Sequence, residues 1–396
     1  MQPLKGLTVV TLEHAIAAPF ATRQLADLGA RVIKIERPGT GDFARGYDAR
    51  VRGLASHFVW TNRSKESLTL DLKHPEAAKL LERLVLEKAD VVVQNLAPGA
   101  AARLGMGYAR LAALKPGIIV CDISGYGADG PYRDKKAYDL LIQSESGFVS
   151  VAGTPDEPSK AGTSIADIAA GMYAYTNILA ALLQRAQTGR GQHIDISMLE
   201  ALAEWNSYPL YYAFDGAPPP PRSGASHATI FPYGPFPTGE GGSVMLGLQN
   251  EREWVNFCTG VLQQPELATD PRFTCNAKRV AERVALRQII VDTFAALTAP
   301  QVVQRLEAAQ IANARVNTMQ ELWEHPQLKA RERWREVGSP AGMLPAMLPP
   351  GSWGPDVNDG PRMDPVPALG QHTDAILTEL GLDAAAIQAL RVAQAI

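Results

Sequence analysis

Apolar and polar positions alternate in two different ways over the first 125 residues of the chain. Short runs rich in β-branched residues predict β-strands, and longer segments with apolar residues at helical spacing predict α-helices. The predicted strands are residues 8–12, 30–35, 68–71, 90–94 and 118–123, and the predicted helices are residues 19–27 and 75–87. Because strands separated by helices form parallel sheets, this pattern predicts an α/β fold.

A long apolar helix is predicted from Ser164 to Gly189, where a left-handed helix cap is expected, and a strand is predicted at residues 192–196. Asp167 is the only acidic residue of this helix. Its neighbours at helical spacing are alanine and glycine, so we expect a face that another molecule can approach closely. The carboxylate either complements the helix dipole or carries chemistry, and the pattern leaves both interpretations open.

A run of four prolines, in DGAPPPPR, marks a break in composition. With 396 residues the chain is longer than one compact core usually holds, which predicts two lobes. A strand at 243–248 and a helix at 373–380 are predicted beyond the break. The predicted parts are a first part of the large domain (1–214), a linker (215–226), a small domain (227–327), a return linker (328–364) and the last part of the large domain (365–396).

Charge and composition exclude several classes of protein. The net charge of −3, without a basic run, argues against nucleic acid as a partner. Cys121, Cys258 and Cys275 show no metal-ligand spacing, which predicts reduced thiols in a cytoplasmic protein and no metal site. No run of eighteen apolar residues occurs, so no membrane association is expected. The GxSxG, HExxH and CxxC motifs are also missing from the sequence.

Glu36 follows the second predicted strand, where a dinucleotide fold places its ribose contact. The loop EHAIAAP after the first strand lacks the G-x-G-x-x-G that close approach to a pyrophosphate needs. The sequence therefore disfavours a nicotinamide-dependent dehydrogenase.

Motifs in order along nearly the whole chain resemble the family III CoA-transferases, which include formyl-CoA transferase and carnitine CoA-transferase, with the α-methylacyl-CoA racemases as a sister branch. The resemblance implies a Rossmann-like large domain formed by both chain ends, an inserted smaller α+β domain, and two ring-like subunits that interlock as a homodimer. The motifs are LKGLTVVTLEHAIAAPFATRQLADLGARVIKIERPGTGD, NRSKESLTLDLK, QNLAPG, RLGMGY, ISGYGADGPY, KKAYD, TSIADIAAGMYAY and PALGQHTDAIL.

The resemblance also implies the reaction and its residues. Asp167 would attack an acyl-CoA, so that CoA passes through an aspartyl thioester to a carboxylic acid, with CoA as a substrate and without metal or further cofactor. Gly247 would belong to a loop that stabilises oxyanions, although Leu248 and Gln249 stand where some relatives have further glycines. The resemblance also implies that Tyr47 helps to close the active site and that His227 lines the acyl pocket. The implied CoA contacts are Arg37, Leu70, Lys73, Asn95, Arg103, Lys136 and Tyr138.

The strings HATIFPYGPFPTGEGG and LGLQNEREW resemble succinyl-CoA-dependent transferases that act on itaconate, mesaconate or hydroxymethylglutarate. A dicarboxylic acid needs a cation for its second carboxylate. Arg45, Arg50 and Arg52 surround Tyr47 and are the candidates, and the sequence does not distinguish among them.

Two alternatives use the same fold. A racemase needs an acid and a base about the α-carbon, and the racemase branch has a histidine where this chain has Tyr138. A phenol ordinarily titrates at pH ~10 and is a poor base at neutral pH, so the transferase is favoured. A CoA-binding protein without catalysis is disfavoured by the presence of Asp167.

Overall fold

The computed structural model describes residues 2–351 and 360–396, and the chain divides into two compact units. The larger unit contains both chain ends and comprises Met1–Gly147, Ala161–Ser207 and Gln327–Ile396. The smaller unit comprises Phe148–Lys160 and Tyr208–Pro326, so the chain enters it twice. Residues 148–160 and 208–214 therefore group with the smaller unit, whereas the predicted division placed them in the large domain.

Strands and helices alternate in the order that the hydrophobic pattern predicts. Within the described residues, the strands are β1 (Thr8–Leu12), β2 (Arg31–Glu36), β3 (Lys65–Thr69), β4 (Val91–Gln94), β5 (Ile119–Ser124), β6 (His193–Ser197), β7 (Tyr233–Pro237), β8 (Ser243–Gly247), β9 (Ala312–Ala314), β10 (Trp334–Val337) and β11 (Leu344–Met347). The helices are α1 (Ala17–Asp27), α2 (Ser56–Asn62), α3 (Pro75–Lys88), α4 (Ala100–Arg103), α5 (Tyr108–Leu114), α6 (Asp139–Glu145), α7 (Phe148–Val151), α8 (Ile165–Thr188), α9 (Met198–Trp205), α10 (Ser207–Tyr212), α11 (Glu251–Asn256), α12 (Asn276–Ala281), α13 (Arg283–Ala295), α14 (Ala299–Ala308), α15 (Met319–Trp323), α16 (Pro326–Ala330), α17 (Thr373–Glu379) and α18 (Ala384–Val392).

The larger unit is built on a six-stranded sheet in the order β3-β2-β1-β4-β5-β6, with every neighbouring pair parallel. This is the strand order of the doubly wound dinucleotide-binding folds. The prediction of an α/β fold with a parallel sheet is confirmed. In such a sheet the connections diverge between β1 and β4, and the carboxyl ends of these two strands border the crevice where ligands bind.

Helix α8 packs against α1 through its small residues. Ala170 and Ala174 are fully buried, and Gly171 is buried as well. A Cβ atom on residue 171 would lie 2.9 Å from the Phe20 ring, so the two helices approach closely at this glycine. The expectation that this face is open to another molecule is wrong, because α1 covers it.

Strand β3 begins three residues earlier than predicted, at Lys65. The first half of the strand is polar, so the hydrophobic pattern did not predict it. Lys65 is nevertheless buried, with only 2% of its surface exposed. The Lys65 ammonium lies 2.6 Å from the Glu13 carboxylate and 3.0 Å from the Pro19 carbonyl oxygen. Buried polar contacts of Lys65, rather than apolar side chains, therefore hold the start of this strand in place.

The smaller unit has its own three-stranded antiparallel sheet, in the order β7-β8-β9. Its core is aromatic, with Trp254, Phe257, Phe273 and Phe294 buried among leucines and isoleucines. Sheet and helices together give this unit an α+β composition.

The segment 328–364 contains more regular structure than its proline and glycine content predicts. Strands β10 and β11 pair as an antiparallel hairpin within it. Residues 352–359 of the same predicted linker lie outside the described residues.

Within the described part of the chain, α8 is the one helix long and apolar enough to cross a membrane by length and composition. The core helix of a soluble protein meets the same criterion.

Candidate active site

Asp167 lies in the first turn of α8, and its side chain keeps partial solvent access. The residue that precedes the helix, Ser164, makes no side-chain capping bond. Asp139 supplies the cap from the start of α6 instead, because its Oδ1 atom accepts hydrogen bonds from the backbone N–H groups of Ala166 at 2.8 Å and Asp167 at 3.3 Å. Two acidic side chains therefore share the N-terminus of α8.

The environment of Asp167 disfavours its charged form. Burial raises the pKa of the Asp167 carboxyl to about 7, and the negative charge of Asp139 acts in the same direction. A hydrogen bond from the backbone of Ala17, the first residue of α1, opposes this rise. A carboxyl group with a pKa near neutrality and partial access to solvent is a candidate for chemistry.

The N-terminus of α1 is held in place by the loop that follows β1. His14 donates its backbone N–H to the Asn95 side chain and accepts from it through its carbonyl, both at 2.9 Å. Ala15 has a left-handed backbone, with φ of 59°, and its N–H donates to Asp42 at 3.1 Å. These bonds span the ends of β1 and β4 and orient the N–H groups of α1.

Tyr47 lies within electrostatic reach of Asp167. Its ring contacts Phe43 and His57 at centroid distances of 5.8 and 5.6 Å, and the residue is 47% exposed. Burial, followed by the negative charges of Asp42 and Asp167, raises the pKa of Tyr47 to about 12. Tyr47 therefore remains a neutral phenol at physiological pH and can donate a hydrogen bond.

Four predicted CoA contacts are exposed cations along one edge of the large-unit sheet. Arg37 follows β2, Lys73 follows β3, Arg103 ends α4 after β4, and Lys136 lies between β5 and α6. None of them forms an ion pair within residues 2–351 and 360–396. The carboxyl ends of parallel strands meet at one edge, so the sheet gathers these charges on the side where ligands bind.

Three other predicted CoA contacts have different surroundings. Leu70 is 2% exposed and packs in the core, which leaves only its backbone near the sheet edge. Both the oxygen and the nitrogen of the Asn95 side-chain amide are hydrogen-bonded to the backbone of His14, which fixes the loop after β1. Tyr138 is 69% exposed and precedes α6.

The three arginines near Tyr47 are not equivalent. Arg45 makes a two-pronged ion pair with buried Glu36, at 2.8 and 2.7 Å, and stacks on Phe58 at 3.7 Å. Arg52 donates to the Met343 carbonyl at 3.0 Å. The guanidinium of Arg50 is exposed and has no partner among the residues described.

The predicted site residues of the smaller unit, His227 of the acyl pocket and Gly247 of the oxyanion loop, have neighbours within that unit. His227 stacks on Tyr233 at 5.3 Å, and its Nδ1 atom accepts from the N–H groups of Thr229 and Ile230. Gly247 ends β8 so close to Tyr233 that a Cβ atom would lie 2.9 Å from the ring.

The N–H groups that follow Gly247 already have acceptors. The N–H of Leu248 donates to the Pro232 carbonyl at 3.1 Å, and the N–H of Gln249 donates to Glu253 at 2.7 Å. The predicted oxyanion role of this loop stays a prediction.

Asp139 and the backbone N–H of Ala17 were not among the predicted site residues. Asp139 is the last residue of the KKAYD motif, and an acidic residue that follows β5 at the ligand-binding edge is a usable signal. Ala17 gives a weaker signal, since the sequence HAIAAP offers α1 no serine, threonine or aspartate as a cap.

Taken together, a doubly wound parallel sheet and a carboxyl group of raised pKa beside its ligand-binding edge define an α/β enzyme that handles acyl groups or anions. The family model "CoA-transferase family III" matches residues 4–373. The chain belongs to this family, and it is a CoA-transferase.

Named relatives agree with this assignment. A succinate–glutarate CoA-transferase from Agrobacterium fabrum is 36% identical over 96% of this chain and 96% of its own length. The human succinyl-CoA:glutarate CoA-transferase is 32% identical over 96% of this chain and 86% of its own length. A solved structure of a CaiB/BaiF family protein from Brucella suis is similar with a TM-score of 0.82 at 33% identity, covering 96% of this chain and 99% of that one.

Proposed function

We propose that the protein transfers CoA from succinyl-CoA to a short dicarboxylic acid through covalent intermediates on Asp167. The observation that carries this proposal is the setting of Asp167, a partly accessible carboxylate with a pKa raised to about 7 at the meeting point of α1, α6 and α8. Such a group is ionised in part at neutral pH and is more nucleophilic than an ordinary carboxylate.

The transfer proceeds in four displacements at carbonyl carbons. An oxygen of Asp167 bonds to the acyl carbon of succinyl-CoA, and the C–S bond breaks to release CoA thiolate. The thiolate attacks the aspartyl carbon of the anhydride, so that succinate leaves and an aspartyl-CoA thioester forms. The acceptor carboxylate attacks this thioester to form a second anhydride and thiolate, and the thiolate then takes the acceptor acyl group and frees Asp167.

Each displacement passes through a tetrahedral oxyanion that needs hydrogen-bond donors. In the larger unit, the backbone N–H of Ala17 donates to the Asp167 carboxyl, and the neutral phenol of Tyr47 lies within reach of its charge, so both are candidate donors. We propose that these groups, rather than a metal ion, stabilise the developing charge.

We assign the phosphate groups of CoA to the exposed cations at the sheet edge. Arg37, Lys73, Arg103 and Lys136 are exposed, and no carboxylate of the described chain neutralises them, which leaves their charge available for an anion. Arginine and lysine on loops at strand ends are suited to phosphate.

The acceptor we propose is a dicarboxylic acid of about the size of glutarate, because three relatives are named for glutarate. Itaconate, mesaconate and hydroxymethylglutarate are close to it in size and charge. Among the three candidate arginines, Arg50 suits the distal carboxylate, because Arg45 is paired with Glu36 and Arg52 with a backbone carbonyl.

The covalent step is tested with Asp167→Ala and Asp167→Asn. Wild-type protein mixed with succinyl-CoA and hydroxylamine should acquire a hydroxamate on Asp167, detected by peptide mass spectrometry, and both variants should lose CoA transfer to glutarate. Asp156→Asn, which changes an exposed aspartate, serves as the control. Wild-type transfer rates in Asp167→Ala would disprove the proposal.

We further propose a homodimer and retain the predicted cytoplasmic location. Leu210, Tyr211 and Phe214 are 68%, 77% and 74% exposed within a short stretch of the smaller unit, and a second copy of the chain would remove such apolar side chains from water. Sedimentation equilibrium should give twice the monomer mass, and a monomer at micromolar concentration would contradict the proposal.

A further inference from the structure

Asp139 is fixed through both of its carboxylate oxygens. Its Oδ1 atom accepts from the N–H groups of Ala166 and Asp167, and its Oδ2 atom accepts from the Gln143 side chain at 2.6 Å. Gln143 is fully buried, and its own Oε1 atom accepts from the backbone N–H of Ala161 at 2.9 Å. A rigid polar network therefore holds one carboxylate beside the backbone of the proposed nucleophile.

A helix cap does not need a charge. Serine, threonine and asparagine cap helices about as well as aspartate does, and Ser164 is present at the N-cap without capping the helix. The chain instead places an ionisable acid from α6 beside a second acid on α8, where like charges repel.

No cation offsets this repulsion in the part of the chain that the structure describes. Neither Asp139 nor Asp167 forms an ion pair with lysine, arginine or histidine among those residues. The other groups that interact with Asp167 are the phenol of Tyr47 and the backbone N–H of Ala17. Asp139 also occupies the N–H groups of α8 that would otherwise stabilise a charge on Asp167.

We propose that Asp139 is a positioning residue whose fixed negative charge disfavours free, ionised Asp167 relative to its covalent forms. The inference rests on the proposed function. When the Asp167 oxygen bonds to the acyl carbon and the C–S bond breaks, the negative charge leaves with the CoA sulfur. The repulsion between the two carboxylates ends at that step, and it stays absent in the anhydride and in the aspartyl-CoA thioester.

Substituting Asp139 with asparagine or with glutamate distinguishes the effect of its charge from its effect as a helix cap. Asp139→Asn keeps an oxygen that can accept from Ala166 but removes the charge, whereas Asp139→Glu keeps the charge. The readout is kcat/KM for succinyl-CoA between about pH 5 and 9, which reports ionisations of the free enzyme. The acid limb should move to lower pH by on the order of one unit in Asp139→Asn and should stay in place in Asp139→Glu.

The amount of covalent intermediate gives a second readout. Under saturating succinyl-CoA, the fraction of protein trapped as the Asp167 hydroxamate should fall in Asp139→Asn and remain at the wild-type level in Asp139→Glu. Glu145→Gln removes a charge from the same helix α6, where Glu145 pairs with Lys135, and should change neither readout.

Different experimental results would overturn the role of Asp139 and the proposed function. If Asp167→Ala is inactive but folded Asp139→Asn keeps the wild-type acid limb, the role of Asp139 is only structural and the inference is overturned. Asp139→Ser is the neutral variant to use if asparagine prevents folding. A wild-type kcat/KM that stays constant down to pH ~5, as an ordinary aspartate pKa of about 3.9 predicts, would overturn the inference without any variant.

Discussion

Gly171 of α8 and Ala17 of α1 meet so closely that a Cβ atom on residue 171 would lie 2.7 Å from the Ala17 carbonyl oxygen. Ala17 also hydrogen-bonds to the Asp167 carboxyl through its backbone. One residue without a side chain therefore sets both the distance between two helices and the contact between α1 and the candidate nucleophile.

Gly171→Ala should reduce both stability and activity. The added methyl group must push α1 away from α8, and overpacking of this kind typically costs about 1–3 kcal/mol. The displaced Ala17 N–H should weaken its bond to Asp167, so kcat should fall further than the loss of folded protein explains. Urea unfolding and steady-state kinetics on the same samples provide the measurement.

Gly162→Ala is the matched control, because a Cβ atom on Gly162 meets nothing within 4 Å. It should leave stability and kcat unchanged. Equal effects of the two substitutions would show that the close crossing of α1 and α8 has no particular role.

The hydrophobic pattern was sufficient for the parallel sheet, because most of its strands bury apolar side chains on both faces. Strand β1 was predicted with its observed bounds, Thr8–Leu12. The pattern failed where polar residues are buried, as at Lys65 in β3, and where prolines lie inside a strand, as in β7. These elements depend on ion pairs and on neighbours distant in sequence, which periodicity does not record.

For the site, the resemblance singled out Asp167, but it did not give the surroundings of that residue. Asp139 caps a helix that begins 26 residues later in the chain, at Ile165. The ion pair between Arg45 and Glu36 could not be predicted from the sequence either, because it forms only when β2 and the following turn have folded. Side-chain partners of this kind depend on the tertiary structure.

Buried charges beneath the loop after β1 predict a pH dependence of stability. Glu13 lies 2.6 Å from Lys65 and 3.3 Å from Lys34, and all three side chains are buried. Burial opposes the charge on Glu13, but Lys65 and Lys34 outweigh burial and lower its pKa from the ordinary 4.5 to about 2. Because the folded pKa is the lower one, the stabilisation is present above pH 4.5 and is lost as the pH falls toward 2.

Glu13→Gln should therefore destabilise the protein near pH 7, by on the order of 3 kcal/mol, and less as the pH falls from 4.5 toward 2. The free energy of unfolding by urea, measured across this pH range, provides the test. Glu76→Gln, which breaks an exposed pair with Lys79, should leave the pH profile as it is. A Glu13→Gln profile parallel to that of the wild type would contradict the prediction.

The protein should not exchange the α-proton of an acyl-CoA. Tyr138 stands where the racemase branch has its histidine, and it is a largely exposed phenol rather than an imidazole. In deuterated water, 2-methylbutanoyl-CoA should keep its α-hydrogen while CoA transfer to glutarate proceeds. Rapid deuterium uptake without CoA transfer to any acid, measured by mass spectrometry, would favour the racemase instead.

The last prediction concerns the distal carboxylate of the acceptor. Asp48 accepts from the backbone N–H groups of Arg50 and Ser56, at 2.9 and 3.0 Å, which fixes the loop that carries Arg50. The Arg50 guanidinium has no ion-pair partner within the described residues and lies on the loop that follows Tyr47. An arginine in this setting can take a carboxylate without breaking an existing ion pair.

Arg50→Ala should raise the KM for glutarate by roughly 10- to 100-fold, which corresponds to the loss of one charge-assisted hydrogen bond. The KM for pentanoate, a monocarboxylic acid of the same length, should change little, and Arg50→Lys should restore part of the difference. Arg52→Ala is the matched control, because its side chain already donates to the Met343 carbonyl. If Arg50→Ala keeps the wild-type preference for glutarate over pentanoate, the distal carboxylate binds elsewhere and Arg50 is only a surface residue.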